Sequence, residues 1–191
     1  MYKKGFKRLI DLTISFLSLL FLSPLLLLVA FLIKVTSKGP VFYTQERLGY
    51  QGKTFKLYKF RSMKVNNTVS EKTQVFKGNT SVTGIGQIIR RFKIDELAQL
   101  INIFNGDMSI VGPRPCLPSL KEEFNETAYY RLKAKPGLTG LAQINGNIFL
   151  SWEERWEFDK QYVENITFVK DLGIILKTIL IVFLGEEKFK K

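Results

Sequence analysis

Asp95 and Glu96 stand side by side after a basic run, Arg90, Arg91 and Lys93, and at the start of an apolar repeat. Two carboxylates beside guanidinium groups suit phosphate chemistry: one can attack phosphorus while the other holds a divalent cation. Leu97, Leu100, Ile101 and Phe104 follow at i, i+3, i+4 and i+7, which predicts an amphipathic helix opened by the two acids. Acids in a first helical turn also stabilise the helix dipole with no catalytic role, so both readings stand. In the functional reading, helix amides and nearby guanidinium groups keep Asp95 ionised and form a phosphate site. Adjacent helical residues diverge by about 100°, so the carboxylates need not share a proton.

Arg114 lies in Gly112-Pro113-Arg114-Pro115. Proline on each side stiffens the backbone behind a planar fork that matches phosphate, though a solvent-exposed turn would look the same. Lys59-Phe60-Arg61 alternates charge and ring, as a phosphate-binding strand end or a solvated edge would. Gly137, Gly140 and Gly146 permit close approach to a ligand but are weak evidence alone. No Walker A sequence occurs, and Thr83-Gly84-Ile85-Gly86 does not complete a dinucleotide fingerprint.

Composition narrows the chemistry. The 191 residues contain no histidine and a single cysteine, Cys116. That removes Ser-His and Cys-His nucleophile pairs, His-ligated zinc and any intramolecular disulfide. A metal would need oxygen ligands, which points to Mg²⁺ or Mn²⁺ alongside phosphates. The net charge of +12 favours anionic partners such as lipid headgroups, nucleotides or pyrophosphates. No nucleic-acid module pattern accompanies it.

The elements that must position these residues begin with an uncharged apolar run, residues 12–33, interrupted at Ser23-Pro24. As a straight helix it would be roughly 33 Å long, enough to cross a bilayer core. Pro24 costs about 3 kcal/mol within a helix, too little to keep the segment out of lipid, and its effect is to bend the chain. Basic residues flank both ends: Lys3, Lys4, Lys7 and Arg8 before, Lys34 and Lys38 after. A single span would force one basic flank across, against the positive-inside tendency, whereas a bent helix keeps both on one side. An ordinary anchor with a proline kink is the competing reading.

Beyond it, 41–44 and 54–60 read as strands joined by a 49–53 loop. Residues 61–81 are polar and aperiodic and read as a mobile loop. Residues 87–92, 120–133 and 152–163 read as helices, and Asn105-Gly106 stops the helix that follows Asp95. Residues 135–147 read as a glycine-rich loop region. Residues 172–184 are apolar but too short to span, with Lys177 interrupting, and suit a helix on the core or in the membrane interface.

Three stretches taken together are far more specific. Arg90 with 94–102, 106–115 and 135–143 resemble the bacterial sugar transferases. Within these the chain is similar to the small monotopic phosphoglycosyl transferases, including the one that starts bacterial N-linked glycan assembly. Residues 6–11, Ser23-Pro24, 59–63 and 152–171 fit the same family. The resemblance implies a mostly helical α+β fold: a re-entrant membrane helix over 1–36, broken at Ser23-Pro24, then a cytosolic-face catalytic domain over 37–191. That domain carries a short β-hairpin and interfacial helices. The resemblance further implies that Asp95 is the nucleophile and that Glu96 serves a Mg²⁺ site. Arg90 and Arg114 are expected to engage phosphate, with Lys59 in a matching segment.

The implied reaction moves a sugar 1-phosphate from a UDP-sugar to a polyprenyl phosphate, undecaprenyl phosphate being the expected form. It would take place at the cytoplasmic face of the bacterial inner membrane, among membrane lipids and without nucleic acid. Three departures from the family pattern stand out. Asn147 follows Asn145-Gly146 where a basic residue is common, Lys93 replaces a common Ser or Thr, and Ala98 replaces a common Pro. Two rival readings remain: a membrane-bound Mg²⁺ phosphohydrolase, and a non-enzymatic basic module binding lipid or RNA.

Overall fold

In the computed structural model, residues 2–64 and 81–185 are described. The core of the stretch expected as a mobile loop, 65–80, lies outside them. Its described ends meet: Lys64 N–H donates to the Ser81 carbonyl (2.8 Å) and Thr83 N–H to that of Ser62 (3.0 Å).

The chain is mostly helical. Helix α1, Phe6–Thr36, contains Pro24 yet continues through it as one helix. The expected separation into two helices is therefore not seen. Ser23 accounts for part of that continuity, because its hydroxyl donates to the Leu20 carbonyl (2.7 Å), the acceptor Pro24 cannot serve. By length and composition α1 can cross a membrane.

Both ends of α1 are nevertheless tied to the rest of the protein. Near its start, Arg8 donates to the Ile103 and Phe104 carbonyls at the C-terminus of α3, Gln99–Asn105, where a cation also complements the helix dipole. Asp11, buried, accepts from Ile110 N–H (3.0 Å). At the other end, Val29 and Ile33 pack with Phe60, Ile89 and Ala98. Arg61, buried, donates to the Ser37 and Lys38 carbonyls (2.7 and 2.8 Å) just past the helix. Arg61 thus clamps α1, neither a phosphate ligand nor a solvated edge.

Strands β1, Phe42–Leu48, and β2, Thr54–Phe60, form the antiparallel hairpin, with Lys59 opposite Tyr43 and Arg47 opposite Phe55. β1 extends four residues beyond the predicted strand. Helix α2, Gly84–Arg91, is capped by Thr83, whose hydroxyl accepts from Gly86 N–H (3.0 Å). A second, parallel pair joins β3, Ser109–Val111, to β4, Gly137–Thr139. It replaces the loop expected at the start of 135–147, and the short helix α4, Leu141–Ile144, follows it. This pairing depends on glycine. A Cβ on Gly112 would lie 2.3 Å from the Lys135 carbonyl oxygen and 2.9 Å from Gly137 N.

The helix expected over 120–133 is instead two 3₁₀ segments, Pro118–Glu123 and Ala128–Lys133. Phe124 is extended between them, edge-on to Tyr129 and Trp156, and Asn125 accepts from Ala128 N–H (2.9 Å). Ring burial and the Asn turn outweigh helix continuation. Helix α5, Trp152–Glu164, opens with a capping box between Ser151 and Glu154. Helix α6, Phe168–Leu184, starts four residues before the predicted helix because Thr167 caps it and Asp171 sits in its first turn.

Asp171 joins three elements. Its buried carboxylate accepts from Tyr2 (2.7 Å), Lys7 (2.6 Å) and Tyr162 (2.8 Å). The Tyr162 hydroxyl lies equally close to the Val111 carbonyl (2.9 Å), so one proton serves two acceptors. Tyr162→Phe is expected to cost about 1–2 kcal/mol, read from denaturant unfolding, since buried acceptors lose their donor.

Candidate active site

The site forms where β2, the turn after α2 and the 112–116 turn meet. Lys93 adopts the left-handed conformation (φ 56°), turning the chain out of α2. Asp95 and Glu96 follow in a 3₁₀ segment, Ile94–Ala98, and α3 begins only at Gln99. The acids are therefore not in the first turn of an α-helix, which corrects the expectation from the apolar repeat. The 3₁₀ segment buries Asp95 and Ala98 and turns Glu96 toward β2.

Glu96 and Asp95 differ sharply in environment. Glu96 Oε1 accepts from Lys59 Nζ and from an Arg114 terminal nitrogen, both at 2.8 Å. Burial works to raise its pKa, but Arg114 and Lys59 outweigh it and hold the carboxyl well below the usual range. Glu96 stays ionised. Asp95 has no hydrogen bond or ion pair among the described residues, although it is buried. Burial pushes its carboxyl up, the Glu96 charge adds to that, and Lys59, Arg90 and Lys93 pull it down. The expected depression by helix amides is absent because no α-helix starts there.

Of the predicted residues, Asp95, Glu96, Lys59 and Arg114 converge, and Arg90 acts on Asp95 from the last turn of α2. Ser23 and Pro24 lie in α1, on the membrane helix. Lys59 and Arg114, expected at phosphate, are both engaged by Glu96. Asn147 takes a positive φ (48°), as an Asn tolerates, after Gly146.

A divalent cation can draw on the Glu96 oxygen that Lys59 and Arg114 leave. Among the described residues no group of three or more acidic or thiol side chains forms an all-protein cage. One carboxylate oxygen suits Mg²⁺, which keeps waters and other oxygens as its remaining ligands.

Behind Arg114 lies a layer that sequence reasoning missed. The Arg131 guanidinium donates to the Arg114 carbonyl (2.8 Å) and lies 3.3 Å from Asp159 Oδ2, with both side chains buried. Burial pushes the Asp159 carboxyl up to about 6 against the pull of Arg131 and Arg155. The only advance signal was the spacing of Arg155 and Asp159, one turn apart on α5. A pKa raised from 3.8 to about 6 contributes stability below the lower value and loses it as pH rises through the upper. The stability of the protein relative to Asp159→Asn should therefore fall between those limits, checked by urea unfolding of both at a series of pH values.

Comparison with known proteins gives the family. The sequence profile of the bacterial sugar transferase family matches residues 2–185. The chain belongs to that family, and it is an enzyme of the phosphoglycosyl transferase class. It is 40% identical to the exopolysaccharide production protein ExoY of Sinorhizobium fredii over 198 residues, covering 96% of this chain and 88% of the relative. It is also 40% identical to the UDP-glucose:undecaprenyl-phosphate glucose-1-phosphate transferase of Klebsiella pneumoniae, covering 96% of this chain and 41% of that protein. The undecaprenyl-phosphate galactose phosphotransferase of Salmonella typhimurium is 38% identical, with 92% of this chain and 40% of the relative covered. The chain thus spans about two fifths of the length of these last two relatives.

Proposed function

We propose that the enzyme transfers a sugar 1-phosphate from a UDP-sugar to undecaprenyl phosphate through a covalent intermediate on Asp95. The observation that carries this reading is the contrast between the two carboxylates. Glu96 is held by two cations, while Asp95 keeps its lone pairs uncommitted in a buried site among Lys59, Arg90 and Lys93. A nucleophile needs that freedom, and burial raises its basicity.

In the first step an Asp95 oxygen attacks the phosphorus bearing the sugar. The bond from that phosphorus to the bridging oxygen breaks, and uridine monophosphate leaves with the electron pair. In the second step a phosphate oxygen of the lipid attacks the same phosphorus, the bond to Asp95 breaks, and the carboxylate is restored. The product is a polyprenyl diphosphate sugar. Arg90 and Arg114 offset the charge on the phosphates as the anionic nucleophile approaches, in a reaction governed by positioning and electrostatics. Mg²⁺, held by Glu96 and substrate oxygens, would supply further charge neutralisation.

Helix α1 supports a one-sided membrane arrangement. A 31-residue helix is about 46 Å long, yet residues near both ends are bonded to the same body of protein. That favours a helix that enters and leaves on one face, with the catalytic domain over 37–191 on the cytoplasmic side. The exposed apolar residues Phe16, Phe21 and Phe31 of α1 and Leu176, Leu180 and Phe183 of α6 would then meet lipid.

Donor without acceptor distinguishes transferase from phosphohydrolase. The transferase releases at most about one equivalent of uridine monophosphate per enzyme and stalls. Continued release over many turnovers would assign the carboxylates to water activation instead.

A further inference from the structure

Five cations surround Glu96 and Asp159. Three have a carboxylate within ion-pair distance: Lys59 and Arg114 on Glu96, and Arg131 on Asp159. Arg47 and Arg155 have none among the described residues, and each has a buried Nε without a hydrogen-bond partner. Among the described residues the Arg47 guanidinium donates to the neutral Gln45 side chain. Arg155 lies over the Trp152 ring, 4.6 Å from its centre.

The fold brings both to Arg114. Leu48 N–H donates to the Cys116 carbonyl (2.9 Å), which lays the end of β1, and with it Arg47, beside the 112–116 turn. Arg155 shares a face of α5 with Asp159, which meets the Arg131 that binds the Arg114 carbonyl. Arg114 in turn depresses the pKa of both arginines after burial does so. Guanidinium groups do not give up their charge to relieve this repulsion. These five cations face two carboxylates, Glu96 and Asp159, so the cluster carries an excess of positive charge.

We propose that Arg47 and Arg155, flanking Arg114, form a cradle for the phosphate of the departing nucleoside monophosphate. A phosphomonoester carries about −1.5 to −2 charges at neutral pH, the sign that such an excess attracts. The assignment rests on the transfer reaction above and divides the cations by task. Lys59 meets Glu96, next to the Asp95 that attacks phosphorus, whereas Arg47 lies beside the 112–116 turn and Arg155 one helical turn from the Asp159 that pairs with Arg131 behind Arg114. As the bridging bond breaks, the leaving phosphate gains negative charge, so the cradle is complementary to the transition state more than to the donor.

The test is calorimetric binding of uridine monophosphate, inorganic phosphate and uridine to the full chain in detergent, as parent, Arg47→Met and Arg155→Gln, with melting temperatures alongside. Each substitution should weaken uridine monophosphate about 10- to 100-fold, as loss of a charge-assisted phosphate contact does, and leave uridine unchanged. The Michaelis constant for lipid acceptor should stay constant. Unchanged nucleotide affinity in both variants overturns the proposal. So does loss of acceptor affinity with nucleotide affinity intact, which would give the cradle to the lipid phosphate. If Arg47→Met does not fold, Arg47→Lys, which keeps charge but loses the fork, carries the same comparison. Asp95→Asn should still bind uridine monophosphate. If no covalent adduct forms yet the arginines still set that affinity, the cradle stands and the covalent scheme fails.

Discussion

Asp95→Asn should lose turnover by a factor on the order of 10³ or more, with the folded protein unaltered. The amide keeps the shape of the side chain but has no anionic oxygen to form a bond to phosphorus. The structure gives no reason for collapse, because among the described residues Asp95 makes no hydrogen bond or ion pair whose loss would be felt. Replacing a buried charge with a neutral amide removes a desolvation cost, so the melting temperature should hold or rise slightly. Activity and melting temperature measured on one preparation check both halves. Glu96→Gln provides the contrast. It leaves Lys59 and Arg114 without their shared carboxylate, so activity and stability should fall together.

The second large effect concerns the fold behind the site. Gly112→Ala should destabilise the protein by about 3 kcal/mol or more, the upper end of overpacking costs. The new methyl group would meet backbone, the Lys135 carbonyl at 2.3 Å and Gly137 N at 2.9 Å, with no flexible side chain to move aside. Relief requires separating β3 from β4, and with them the turn that presents Arg114. Gly173→Ala is the matched control. It lies within α6 with nothing inside 4 Å, and alanine there should stabilise by about 0.5–1 kcal/mol. Denaturant midpoints for the two variants should move in opposite directions.

These cases show which features the sequence expressed locally. The hairpin, α5 and the apolar α1 follow from periodicity and turn residues close in the chain. Asp95, Glu96, Lys59 and Arg114 could be nominated from residue type and from family likeness, though not the contrast between a Glu96 held by two cations and an Asp95 with no ion pair among the described residues. That depends on a 3₁₀ turn in place of an α-helical one, a choice made by burial of Asp95 and Ala98. The parallel pairing of Ser109–Val111 with Gly137–Thr139 joins segments about 28 positions apart, and two three-residue strands carry almost no periodic signal. The break at Phe124 was equally hidden, since its cause is a ring contact with Trp156, far along the chain. Arg47, Arg131 and Asp159 were passed over because a charged residue reads as solvent-exposed until a structure buries it.

Intact-mass measurement of the full chain with Mg²⁺ and a panel of UDP-sugars, without lipid acceptor, addresses the covalent step head-on. One donor should add the mass of a single sugar phosphate, peptide fragmentation should place it on Asp95, and Asp95→Asn should stay unmodified. Product formation in the presence of lipid from a donor that never yields this adduct, or an adduct seated on another side chain, would contradict the mechanism.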